Sequence, residues 1–146
     1  MPWTGAKPWG APCDAAMPCA TQNELSEEDA ERLVSGGCRL VCEGADMPCT
    51  PEAIHRFSEE RVLFGPAKAA NAGGVAVSAL EMQQNAGLEQ WTFAEVDGRL
   101  REIMKGIHDR CRNFAGRYGS ADHYQAGANI AGFVRVVQAM RAFGLS

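Results

Sequence analysis

Two glycines followed one helical turn later by a serine are the best-placed groups in this 146-residue chain for holding a polar ligand: Gly73, Gly74 and Ser78. Residues 66–86 follow the apolar run Val62-Leu63-Phe64-Gly65 and read as a strand feeding a helix through a glycine-rich turn. Glycines remove side chains where a chain turns and let backbone N–H groups come close to another group. The start of a helix adds unpaired donors and a positive dipole end. The run Ala-Gly-Gly-Val-Ala-Val is equally consistent with close helix packing alone. An isolated helical serine is by default exposed or bonded back to its own backbone.

The six cysteines, at 13, 19, 38, 42, 49 and 111, form the other chemically distinctive set. No Cys-x-x-Cys pair occurs. Cys38 and Cys42 straddle a predicted strand on one face, but a tetrahedral zinc site needs two more ligands, and neither His55 nor His108 has a supporting spacing. The expectation is of reduced thiols acting as small buried hydrophobes, with no metal site.

The elements that must position these groups are a short α/β layer and then helices. Residues 1–12 are rich in Pro, Gly and Trp and read as a loop, with Trp3 and Trp9 available for packing. Residues 13–18 are a strand candidate ending at Pro18. Ser26-Glu-Glu-Asp29 is a capping signature, and Gly36-Gly37 stop the helix that follows it. Residues 38–42 are a short apolar run consistent with a buried parallel strand. Thr50-Pro51-Glu52 starts a second helix to about Ser58, and residues 62–64 are a third strand. Strand and helix alternating over short connections predict parallel crossovers. Thr92-x-x-Glu95 opens a long helix with Phe93, Val96, Leu100, Ile103, Met104, Ile107, Cys111 and Phe114 on one face. A break is expected over Gly116 to Ser120. A last helix from Tyr124 carries Ile130, Phe133, Val134, Val137 and Met140, with Gly127 and Gly132 allowing close packing.

The totals restrict the function. Net charge is −4 with pI near 5.4, and no basic stripe supports a nucleic-acid partner. No apolar run approaches the roughly 20 residues of a membrane span, and residues 1–5 lack the pattern of a signal peptide. The expectation is a soluble, cytoplasmic chain with one core.

Lys68-Ala-Ala-Asn71-Ala-Gly-Gly-Val75-Ala-Val-Ser78-Ala-Leu-Glu81-Met closely resembles the substrate-site helix of hexameric glutamate dehydrogenases, particularly the bacterial NADP-dependent type. Three more segments agree in the same order: Pro18-Cys-Ala-Thr21-Gln-Asn23-Glu-Leu25, Glu43-Gly-Ala-Asp46-Met-Pro48 and Gly127-Ala-Asn129-Ile-Ala-Gly-Phe133. The resemblance runs from about Gly5 to the C-terminus. It implies a partial Rossmann-like α/β fold. Residues 13–90 would be the C-terminal half of the dinucleotide-binding domain, with 1–12 as an N-terminal loop and 91–146 as a C-terminal helical segment.

The resemblance also implies hydride transfer between NADP(H) and the pair glutamate/2-oxoglutarate plus ammonia. NAD is a possible cofactor as well, because the residues that choose between the two are absent. Asn71, Val75 and Ser78 match substrate-binding positions, and Ala20, Thr21, Asn23 and Asp46 match cofactor-binding ones. Asp46 departs from the family's asparagine: an ionised aspartate only accepts hydrogen bonds and adds charge, which puts normal cofactor affinity in doubt. Without the resemblance it would read as a turn residue.

These residues hold no Gly-x-Gly-x-x-Gly, and the family's catalytic-lysine motif and acid/base carboxylate are also missing. The chain is therefore expected to be a C-terminal piece, inactive alone, that self-associates as relatives of hexameric enzymes do. The alternative is a non-catalytic remnant that binds a partner subunit. A leucine, phenylalanine or valine dehydrogenase is disfavoured by Ser78, since an apolar substrate wants an apolar lining.

Overall fold

Ser26 and Asp29 show how closely the local signals are obeyed. The Ser26 hydroxyl accepts from the Asp29 N–H at 3.4 Å, and the Asp29 carboxylate accepts from the Ser26 N–H at 3.1 Å, a closed capping box. The resulting helix, α1 (Glu27–Ser35), ends at Gly36, with Gly37 at φ +86°. The computed structural model describes residues 7–118 and 123–144. Trp3, Gly5, Gly119 and Ser120 lie outside the described residues. The chain divides into two compact units, Met1–Ala67 and Lys68–Ser146.

In the first unit three short parallel strands, β1 (Ala15–Ala16), β2 (Leu40–Cys42) and β3 (Leu63–Gly65), lie in the order β1-β2-β3, with Val41 paired to Ala16 on one side and Phe64 on the other. Helix α2 (Pro51–Glu59) starts as expected, with proline in its first turn and the Thr50 hydroxyl accepting from the Ala53 N–H at 3.3 Å. Leu25, Leu33, Val41 and Phe57 are fully buried, and Trp9 packs at the edge of the same core. Phe57 stacks on Phe64 with ring centroids 6.2 Å apart. The third strand starts one residue later than expected. As an edge strand it leaves Leu63 68% exposed, so it is not buried on both faces.

The second unit is helical. The short α3 (Ala67–Ala70) begins with the last residue of the first unit, and α4 (Ala72–Ala86), α5 (Phe93–Arg117) and α6 (Tyr124–Ala142) follow. The Thr92–Glu95 box closes, with the Thr92 N–H donating to Glu95 at 2.7 Å and the Thr92 hydroxyl accepting from the Glu95 N–H at 3.3 Å. Helices α5 and α6 meet through small residues. Cys111, Ala115, Gly127, Ala128 and Ala131 are buried, and a Cβ on Gly127 would overlap the Cys111 carbonyl and the Ala115 side chain.

Three expectations are corrected here. Gly73 and Gly74 do not form the turn: both lie in the first turn of α4, and the chain leaves β3 at Pro66, passes through α3 and turns at Asn71. Gly132 makes no close approach, since a Cβ there would meet only the Lys68 Cδ at 4.0 Å. Phe93, Phe133 and Met140 share the period of the apolar stripes yet are exposed, Phe93 by 87% and Phe133 by 69%. Periodicity identifies a face but not what covers it. Among the described residues no helix is long and apolar enough to cross a membrane.

Candidate functional site

Two loops leave the carboxyl ends of β1 and β2 and bond to each other. The Pro18 carbonyl accepts from the N–H groups of Gly44 at 2.9 Å and Ala45 at 3.1 Å. Further on, the Asn23 N–H donates to the Met47 carbonyl and the Leu25 N–H to the Pro48 carbonyl, each at 2.9 Å, and the Thr50 N–H returns to the Leu25 carbonyl at 3.0 Å. This ladder brings residues 18–25 against 44–50. Open α/β sheets present ligand sites at this end of their strands.

Of the residues singled out from the sequence, Ala20, Thr21, Asn23 and Asp46 all lie on these paired loops, and all are exposed. The backbone around Ala20 and Thr21 is tied by Glu24, whose carboxylate accepts their N–H groups at 2.8 and 3.4 Å. Asn23 and Met47 face each other across one ladder bond with φ of +55° and +47°, a conformation uncommon for residues with side chains. Such backbone persists where surrounding bonds hold it, and it concentrates at functional sites. At Gly44 a Cβ would overlap the Cys19 sulfur, so a side chain there would require the exposed Cys19 to rotate away.

Asn71, Val75 and Ser78 lie in the second unit. Asn71 precedes α4 with a backbone already helical, φ −88°, and Val75 and Ser78 follow it by four and seven residues, on one helical face. Val75 is 76% exposed. Ser78 donates back to the Gly74 carbonyl at 3.2 Å, its default as a helical serine. Near this face, Lys68 donates to the Asn129 side chain at 2.7 Å, joining α3 to α6 within the same unit.

The sequence did not single out a role for Glu43. It follows β2 directly and is buried, with its carboxylate accepting from the Cys49 N–H at 3.2 Å and the Ala67 N–H at 2.7 Å, while its own N–H donates to the Gly65 carbonyl at 2.9 Å. An acid inside a short apolar-to-turn segment is the only signal the sequence offers for it. The bonds that matter span 6 and 24 residues.

Three of the six thiols are small buried hydrophobes as expected, whereas Cys13 and Cys42 are half-buried and Cys19 is exposed. None of the six cysteines is in a disulfide, and Cys38, Cys49 and Cys111 are buried. Burial, and after it the negative charge of Glu43, pushes the Cys49 thiol well above its usual range. Among the described residues no cluster of three or more His, Cys, Asp or Glu could hold a metal ion.

Comparison with known proteins gives a consistent picture. The sequence model of the Glutamate/Leucine/Phenylalanine/Valine dehydrogenase family matches residues 2–144. The chain is 54% identical to the NADP-specific glutamate dehydrogenase of Giardia intestinalis over 94% of its own length and 31% of that protein's. It is 48% identical to the NAD-specific glutamate dehydrogenase of Bacteroides fragilis, over 97% of this chain and 32% of that one. Among solved structures, the glutamate dehydrogenase of Plasmodium falciparum superposes with a TM-score of 0.90 at 48% identity, covering 94% of this chain and 30% of that chain. The chain therefore spans about a third of the length of the curated relatives it matches.

Proposed function

The chain belongs to the Glutamate/Leucine/Phenylalanine/Valine dehydrogenase family, and from that premise we propose that it is the C-terminal part of an NADP-dependent glutamate dehydrogenase of the cytoplasm. In this reading residues 13–90 complete the dinucleotide-binding domain and 91–146 form its C-terminal helical segment. The loops 18–25 and 44–48 line the nicotinamide end of the cofactor, and the helical face of Asn71, Val75 and Ser78 meets the amino acid. The observation that carries it is the backbone ladder between the two loops, which gathers Ala20, Thr21, Asn23 and Asp46 at the carboxyl ends of parallel strands.

The residues present fit a nicotinamide nucleoside. Thr21 offers a hydroxyl and Asn23 an amide, each able to donate and accept, and Ala20 leaves room for a ring. When bound, the cofactor supplies the hydride. The protein's share is positioning, charge balance and exclusion of water. Asp46 is the exception: as a carboxylate it can accept from a hydroxyl but lacks the donor that the family's asparagine offers. Ser78 rotates from the Gly74 carbonyl to donate to a substrate carboxylate, which favours glutamate over an apolar amino acid. Assembly into a homo-oligomer belongs to the same proposal.

The assay is NADPH oxidation with 2-oxoglutarate and ammonia by the purified 146-residue chain. No turnover is expected, because positioned substrate contacts alone supply neither a lysine in the family's motif nor an acid/base carboxylate. Turnover that tracks the pure protein and vanishes in Ser78→Leu would overturn that reading. A second reading, an interaction module for a partner subunit, draws on the exposed Phe133, Val136, Met140 and Phe143 at the end of α6.

A further inference from the structure

Glu43 is buried and has no part in the reading above. It is nonetheless the only side chain among the described residues whose two carboxylate oxygens each accept from a backbone N–H of a different segment after β2: Oε1 from Cys49 and Oε2 from Ala67. The first bond closes the loop 44–48 that carries Asp46, joining residues six apart. The second holds the first residue of α3, and the Glu43 N–H bond to the Gly65 carbonyl fixes the end of β3 beside it. One carboxylate thus ties three pieces of the first unit: the end of β2, the loop 44–48 and the turn after β3. An apolar side chain at this position would leave both backbone donors without this acceptor, so the carboxylate fixes where the two segments lie.

We propose that Glu43 is a positioning residue, whose bidentate hold on the Cys49 and Ala67 N–H groups sets the loop 44–48 in the arrangement that receives the nicotinamide nucleotide. This rests on the cofactor-side reading of the paired loops. Glutamine cannot replace it. Only one of its two terminal groups accepts, so one backbone donor would face an NH2 donor. Aspartate keeps both oxygens but is one methylene short of the reach.

The test uses the 146-residue chain and its Glu43→Gln and Glu43→Asp variants, with Leu33→Ala as a control that loosens the core of the same unit without touching the loop. Amide hydrogen exchange is followed residue by residue, and NADPH is titrated into each folded protein. In the Glu43 variants exchange at Cys49 or Ala67 should rise about tenfold more than exchange in α1, the effect of losing one charge-assisted bond, and NADPH affinity should fall several-fold. Leu33→Ala should raise exchange across the unit without that excess and leave affinity unchanged. Exchange at Cys49 and Ala67 rising no more than in α1 in both variants overturns the proposal. So does an unhooked loop with unchanged NADPH affinity. If no chain binds NADPH, wild type included, the cofactor-side reading fails and the positioning proposal falls with it, while a localised exchange excess would still show that the clamp exists. If the wild type binds, the variants decide the role of Glu43 alone.

Discussion

Asp46 and Ser78 are the residues on which the chemical reading turns. Asp46 sits exposed on a loop held at both ends, by Pro18 to the Gly44 and Ala45 N–H groups and by Glu43 to Cys49. In the chain joined to the rest of a dehydrogenase, Asp46→Asn should tighten the nicotinamide cofactor several-fold, the effect of one recovered hydrogen bond worth on the order of 1 kcal/mol. Equilibrium binding would show it, and equal or weaker binding in the asparagine variant would remove Asp46 from the cofactor side. At this scale the sequence was partly legible. Three of the four quoted segments supplied candidates, but nothing in the residue types announced that Asn23 and Met47 would both take left-handed backbone, or that Glu43 would face inward. Those outcomes come from bonds between segments distant in sequence, which composition and spacing do not encode.

Helix ends were the most legible elements, because capping is local. Ser26 with Asp29, Thr50 with Pro51, and Thr92 with Glu95 each start a helix where their chemistry says they should. Ser26→Ala should cost about 1 kcal/mol in the first unit. Asp29 adds a pH dependence. Burial by itself raises its carboxyl, but the Lys7 side chain at 2.6 Å, with the N–H and hydroxyl of Ser26, outweighs it and leaves the carboxyl below its usual value. The unfolded chain then takes up the proton at a higher pH than the folded one. The stabilisation is full above the ordinary aspartate value and is lost as pH falls through the lower folded value. Thermal melts from neutral to acid pH should show this loss in the wild type and a shallower slope in Asp29→Asn. A parallel slope would remove Asp29 from the account.

Packing between elements was less legible, and Gly127 and Gly132 show why. Both looked alike in the sequence, yet only Gly127 touches α5. Gly127→Ala should destabilise by about 1–3 kcal/mol through overpacking. Gly132→Ala meets open space and should stabilise by up to about 1 kcal/mol through helix propensity. Denaturant unfolding of the two variants gives opposite signs if the α5–α6 contact is as described.

For the whole molecule, the α/β class, the parallel crossovers and the helical C-terminal half could be read from local signals and periodicity, whereas exposure could not. The first unit ends in two edge strands, β1 and β3, each with a single partner. The second leaves Phe93, Phe133, Val136 and Phe143 in solvent. Unpaired strand edges and apolar patches are templates for another chain. The isolated protein is therefore expected to dimerise or aggregate with concentration, as sedimentation would detect. A concentration-independent monomer with fixed near-UV aromatic signals would show that these surfaces need no cover.

The central claim is that the paired loops at the carboxyl ends of β1 and β2 receive a nicotinamide nucleotide. The most direct measurement is a titration of NADPH into the isotopically labelled chain, at a concentration that keeps it soluble, with each backbone amide followed by its 1H and 15N shifts. The account predicts saturable shifts centred on Ala20, Thr21, Asn23 and Asp46 and their neighbours on the ladder, with no comparable shifts in α2. Saturable shifts centred elsewhere, or none up to millimolar cofactor while the chain remains folded, would contradict it.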